Sequence, residues 1–159
     1  MHAGNHAMTQ AAPGEIERVE APVPDALLDE LLPLWERNSL GSYGDFRKEL
    51  RGSETEENLE TVYVMHAGGR LAGALRMAIS RSNPELAGIG LVATDADFRG
   101  RGIATAVCGK AVEDFQRDGG ECLFLVSGNP VTRRIYHRLG WRKMGGTGVM
   151  GCVTNGASP

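Results

Sequence analysis

The run Asp97-Phe98-Arg99-Gly100-Arg101-Gly102-Ile103-Ala104-Thr105 constrains the fold most, because of what stands on either side of it. Before it, residues 86–94 are apolar and strand-like; after it, apolar residues recur with helical period from Ile103 onward. A strand that turns through glycines straight into a helix leaves the N–H groups of the first helical turn unpaired and pointing outward. Glycine lets the backbone come close to whatever those groups meet. The positive end of the helix dipole lies at the same place. Arg99 and Arg101 add full charges. The run is therefore suited to hold a phosphate or pyrophosphate.

Two common phosphate loops do not fit. A nucleotide P-loop needs Gly-Lys-Ser/Thr, and the lone Gly109-Lys110 lies mid-helix and continues into Ala111. A dinucleotide fingerprint needs a third glycine where Thr105 stands, and the chain has too few strand–helix alternations for that fold. The run does resemble the acetyl-CoA loop of the GNAT superfamily of acyltransferases, [Q/R]-x-x-G-x-[G/A], with Arg99, Gly102 and Ala104 in the fixed positions. A second stretch strengthens the resemblance. Residues 123–129 read as a buried strand ending in a polar turn, and the following helix is similar to the family's N-x-x-A-x-x-[L/I]-Y-x-[K/R]-L-G-[F/W]. Asn129, Ile135, Tyr136, Arg138, Leu139, Gly140 and Trp141 match it, and Thr132 replaces the alanine. The resemblance covers residues 15–153 and is carried mainly by 86–143.

At 159 residues the chain is long enough for one domain with a proper core. Residues 15–154 read as that domain, 1–14 as a disordered leader or cloning remnant, and 155–159 as a flexible tail. The start has no apolar segment of a secretory signal, and His2 and His6 read as solvated. No apolar run approaches the roughly 20 residues of a membrane span. Cys108, Cys122 and Cys152 form no C-x-x-C pair and are odd in number, which points to a reducing cytoplasm and to no metal site. Cys108 reads as a packed core thiol. A net charge of -3 argues against broad binding to nucleic acid or anionic membrane. The basic residues from Arg133 to Lys143 suit an anionic cofactor better than DNA or RNA.

Along the chain, Ile16–Glu20 alternates as a short edge strand. Residues 25–38 carry Leu27, Leu28, Leu31, Leu32 and Trp35 on one helical face, which Pro33 should kink or end. Residues 43–51 and 55–59 read as short helical pieces. Strands at 61–67 and 70–80 flank a Gly68-Gly69 hairpin, and Ser82-Asn83-Pro84 turns into a third antiparallel strand at 86–94. In the helix from 103 to 115, Lys110, Glu113, Asp114 and Arg117 should face water, and Asp118-Gly119-Gly120 should end it. A strand at 122–127, a helix at 130–139 and a strand pair at 141–144 and 148–153 complete the order β-α-α-β-β-β-α-β-α-β-β. That is the order of the GNAT fold, a three-layer α/β domain with a mixed, mostly antiparallel sheet flanked by helices.

The resemblance implies acetyl-CoA as cofactor and acetyl transfer to a primary amine by direct attack in a ternary complex. Val92, Ala93 and Thr94 would pair with the pantetheine arm as a strand does. The amides of Arg99, Gly100, Arg101, Gly102, Ile103 and Ala104 would hold the pyrophosphate, with the Thr105 hydroxyl a further donor. Asn129 and Arg133 would lie on the cofactor side. Tyr136 matches the family's general acid, which protonates the leaving thiolate. The amine must lose a proton first, because at neutral pH only on the order of one alkylamine in a thousand is neutral, about 4 kcal/mol uphill. Many relatives carry a glutamate for this on the strand before the loop, but residues 86–94 contain no acid. Glu85 lies at the far end, Asp95 beyond the strand, and His66 and Glu60 flank another, so the base stays unassigned.

The acceptor, a small molecule or a peptide, would enter between the N-terminal helices and the last strand pair, near Ser42, Tyr43, Phe46, Arg47 and the turn at 144–148. Three alternatives stand beside amine acetylation: a CoA-binding sensor or scaffold without turnover, a covalent route through Cys122, and a nucleic-acid binder using the late arginines. Relatives of this kind are monomers or homodimers.

Overall fold

The computed structural model describes residues 14–38, 46–52 and 56–154. Seven strands form one sheet: β1 (Ile16–Glu20), β2 (Asn58–Ala67), β3 (Arg70–Ser80), β4 (Leu86–Thr94), β5 (Cys122–Val126), β6 (Arg142–Lys143) and β7 (Val149–Val153). Their order across the sheet is β1-β2-β3-β4-β5-β7-β6. Every pairing is antiparallel except β4 with β5. Helices α1 (Asp25–Arg37) and α2 (Phe46–Leu50) follow β1; α3 (Ile103–Arg117) and α4 (Pro130–Arg138) flank β5 in sequence.

The two sheet faces bury different cores. Under α3 and α4, Ile103, Val107, Ala111 and Phe115 pack with Leu75, Met77, Ile89, Leu123 and Trp141. On the other face Leu28, Leu31, Leu34 and Trp35 of α1 pack with Leu50, Val62, Val64, Ala74 and Ala93. Burying a leucine fully removes enough apolar surface to contribute about 1.5–3 kcal/mol, so this stripe holds α1 in place. The stripe also carries the helix through Pro33. The proline removes only the bond to the Asp29 carbonyl, which lies on the exposed side where water reaches it.

The structure corrects two further expectations. Residues 58 and 59 are strand, not helix: β3 runs to Ser80 and offers unpaired backbone, and Asn58 and Leu59 pair with Ser80 and Ile79. Asp114 is buried, not solvent-facing, because Lys110 and Arg117 from neighbouring turns bind its carboxylate at 2.8 and 2.9 Å. The helical piece at 43–51 is α2 within the described residues, whereas Ser42, Tyr43 and Thr55 lie outside them, as do residues 1–13 and 155–159.

Candidate functional site

Two departures from regular pairing open the sheet at its centre. Beyond the pair Ala74↔Ala93, β4 fits one residue more than β3 before Arg76↔Gly90, a bulge that puts Leu91 at φ 52°. The extra residue bends and twists β4. On its other side β4 pairs with β5 only through Leu86↔Cys122, Ala87↔Leu123 and Gly88↔Phe124. Past Gly88 the two strands part, so the backbone from Ile89 to Thr94 has no strand partner on the β5 side. A cleft of about 900 Å³ fills the gap.

The start of α3 closes one end of this cleft. Gly100 and Gly102 hold φ of 74° and 75°, a left-handed backbone that disfavours any residue with a Cβ. Nothing crowds either position, so the dihedral is what demands glycine. Gly102 is the N-cap of α3 and supplies no side-chain bond to the first turn. The amides that follow it are left for an outside acceptor. Arg99 is anchored beside them by donating to Asn38 Oδ1 at 2.9 Å.

Of the residues expected at a cofactor, Val92, Ala93, Thr94, Arg99, Gly100, Gly102, Ile103, Ala104, Thr105, Asn129 and Tyr136 line the cleft. Asn129 caps α4, its Oδ1 accepting from the Val131 amide at 2.9 Å. Arg101 stands off the cleft with its guanidinium 5.2 Å from the centre of the Phe98 ring. Arg133 lies behind the wall and donates to the Gly128 carbonyl at 3.0 Å, fixing the turn after β5. Phe46 and Arg47 do not line the cleft: Phe46 packs under the Arg76 guanidinium at 4.7 Å, and Arg47 pairs with Asp29 at 2.8 Å. Tyr43 lies outside the described residues.

Tyr136 of α4 lines the cleft, 6% exposed, its ring 5.8 Å from that of Trp141. Its hydroxyl has no hydrogen-bond partner among the described residues. Desolvation by burial pushes the phenol well above its ordinary value, and the nearby Cys108 thiol adds to the shift. Tyr136 therefore stays protonated across the neutral range. Burial also pushes Cys108 up to about 12, which keeps it an inert thiol.

Among the described residues no Asp or Glu lines the cleft, and Glu60, Asp95 and His66 are engaged elsewhere. Glu60 accepts two bonds from Arg76, at 2.7 and 2.8 Å. Asp95 accepts from the Asp97 amide and pairs with Arg70 and Arg37, which hold its carboxyl below the usual range. His66 faces Glu30 at 3.1 Å. Lining residues not foreseen at the cofactor include Asn38, Leu91 and Arg138. Of these three, Arg138 carried a sequence signal, its place in the helix motif. Among the described residues no cluster suited to a metal ion occurs, and no helix is long and apolar enough to cross a membrane.

The profile of the Acetyltransferase (GNAT) family matches residues 25–141. The chain belongs to the GNAT acetyltransferase family. Solved GNAT structures share its fold at low identity. The ribosomal-protein-S18-alanine N-acetyltransferase from Escherichia coli superposes with TM-score 0.67 at 14% identity, covering 91% of this chain and 97% of its own. The aminoglycoside 6'-N-acetyltransferase from Enterococcus faecium gives 0.66 at 14% identity, over 91% and 99%. A Bacillus subtilis acetyltransferase in complex with CoA gives 0.58 at 19% identity, over 87% and 97%. No curated protein matches the chain. In this GNAT chain the seven-stranded mixed sheet and its flanking helices are those expected from the resemblance.

Proposed function

We propose that this GNAT protein transfers an acetyl group from acetyl-CoA to an amine by direct attack within a ternary complex. The observation that carries the reading is Tyr136, a buried phenol whose hydroxyl bonds to no described residue, in the same cleft as the uncapped first turn of α3. A proton donor and an anion cradle in one cleft are what thioester aminolysis needs. The amides of Gly102, Ile103 and Ala104, with Arg99, hold the pyrophosphate. The free edge of β4 pairs with the pantetheine amides, as an added strand would.

The amine nitrogen attacks the thioester carbonyl, forming a C–N bond as the C–S bond breaks. The departing thiolate takes the Tyr136 proton, and the proton lost from nitrogen passes to water. With no carboxylate among the described residues of the cleft, water entering the gap is the acceptor at hand. The amine then enters neutral from solution, so the rate rises with pH. The relatives named for ribosomal-protein alanine and aminoglycoside acetylation both act on amines, in keeping with this acceptor chemistry. Three free cysteines suit a reducing cytoplasm.

The absence of a carboxylate among the described residues of the cleft favours a second reading, a CoA-binding module without turnover. Calorimetry with acetyl-CoA, CoA and ATP tests the cradle, and Gly102→Glu is the control. Micromolar CoA binding abolished by the substitution supports the proposal. A folded protein that binds no CoA refutes both readings.

A further inference from the structure

The end of α1 reaches the anion cradle through one side chain. Asn38 is the C-cap of α1 and lines the cleft together with Arg99, 61 residues further along the chain. Its amide is used from both sides. Nδ2 donates to the Leu34 carbonyl in the last turn of the helix at 2.8 Å, and Oδ1 accepts from Arg99 Nη2 at 2.9 Å. Both partners demand the same orientation of the amide, because a carbonyl only accepts and a guanidinium only donates.

The neighbouring arginines are held differently. Arg37 pairs with Asp95 at 3.3 Å, and Arg70 pairs with Asp95 and Asp97 at 3.1 and 2.9 Å. Their charge is matched at the 3-10 turn Ala96–Phe98, which leads β4 into the cradle. Asn38 is neutral, so it fixes the Arg99 guanidinium without cancelling its charge. One N–H is engaged, and a guanidinium has five. A loose arginine gives up much rotamer freedom when it closes on an anion. Holding it beforehand removes part of that cost from binding.

We infer that Asn38 is a positioning residue for the cofactor: it holds Arg99 ready for the pyrophosphate of acetyl-CoA and ties the end of α1 to cofactor binding. The inference rests on the acyl-transfer reading and concerns its phosphate end alone.

The neutrality of the amide supplies the test. Aspartate has nearly the same size and would clasp Arg99 as an ion pair, although it gives up the bond to Leu34. It would also cancel the arginine's charge and set a carboxylate beside the phosphates. Calorimetry with CoA is run on wild type, Asn38→Ala, Asn38→Asp, Arg99→Ala and the double alanine variant, with thermal melts to keep loss of fold apart from loss of contact. Asn38→Ala should weaken CoA binding by about 3- to 10-fold, the range of one hydrogen bond. Asn38→Asp should weaken it further, by about 10-fold or more, through like-charge repulsion. In the Arg99→Ala background, Asn38→Ala should cost nothing more, because the two residues act as one unit.

A purely structural clamp predicts the other order, with Asn38→Asp binding CoA better than Asn38→Ala. That order, unchanged affinity in Asn38→Ala, or losses from the two alanine substitutions that simply add would overturn the inference while wild type binds CoA. A folded wild type that binds no CoA would instead remove the acyl-transfer reading beneath it.

Discussion

Replacing Tyr136 by phenylalanine separates chemistry from packing with unusual clarity. The hydroxyl bonds to no described residue, so its removal strands no buried partner, and the ring keeps its contact with Trp141. Stability should therefore change by less than about 0.5 kcal/mol, the range of substitutions that disturb no packing or hydrogen bond. The rate should respond differently. A positioned general acid contributes about 10²–10⁴-fold, or roughly 3–5 kcal/mol of barrier. Burial keeps the phenol protonated beyond its ordinary value of 10.0, so wild-type kcat/KM should climb with pH as the amine deprotonates and show no falling limb below pH 10. The assay is steady-state thiol release across pH 6–10, with thermal melts and CoA calorimetry on both proteins. A Tyr136→Phe enzyme within about threefold of wild-type kcat would refute the acid role. Loss of CoA affinity in step with kcat would refute it equally, because the residue would then be serving binding.

Arg76→Ala leaves the buried Glu60 carboxylate without its counter-charge and should cost about 3–5 kcal/mol in a urea melt. Glu60→Gln in the same background should recover part of that loss. A Cβ at Gly73 would stand 2.5 Å from Ile103 Cγ2, so Gly73→Ala should push back the first residue of α3. We expect a loss of about 1–3 kcal/mol in stability and weaker CoA binding by calorimetry, both from this overpacking. Burial raises Tyr63 and Tyr136 alike, and the unfolded chain then ionises first once pH passes about 10. Their contribution is whole below that pH and declines above it, seen as a urea midpoint that falls from pH 10 to 11. The lowered carboxyls of Asp95 and Asp118 act in the opposite sense, with stability present above pH 4 and lost as pH falls below it.

Local signals made much of the framework legible. Gly68-Gly69 and the Ser82-Asn83-Pro84 turn delimit β3 and β4, and both strands end where those signals place them. The glycines that open α3 could be read because a left-handed dihedral requires the residue itself. Leu91 could not, since a bulge built on a leucine has no residue signature. The engagement of Glu60, Asp95 and His66 was equally hidden: their partners Arg76, Arg37 and Glu30 are brought in by sheet register and by α1 docking. Asp114 read as solvated because helical period alone places it, whereas two flanking cations make its burial tolerable.

The three-residue contact between β4 and β5 has a mechanical consequence. Strands β1 to β4 form one antiparallel leaf and β5 to β7 a second, stitched among the described residues by the rungs at Leu86, Ala87 and Gly88 and by the Glu85 carbonyl accepting from the Glu121 and Cys122 amides. A ligand threaded through the gap replaces the missing rungs and turns two leaves into one continuous ladder. The second leaf, otherwise held to the first through their shared core, then gains backbone bonds as well, so amides of β5 and β7 should exchange with solvent more slowly in the liganded protein. Release of product correspondingly loosens the leaf that carries the far wall of the cleft.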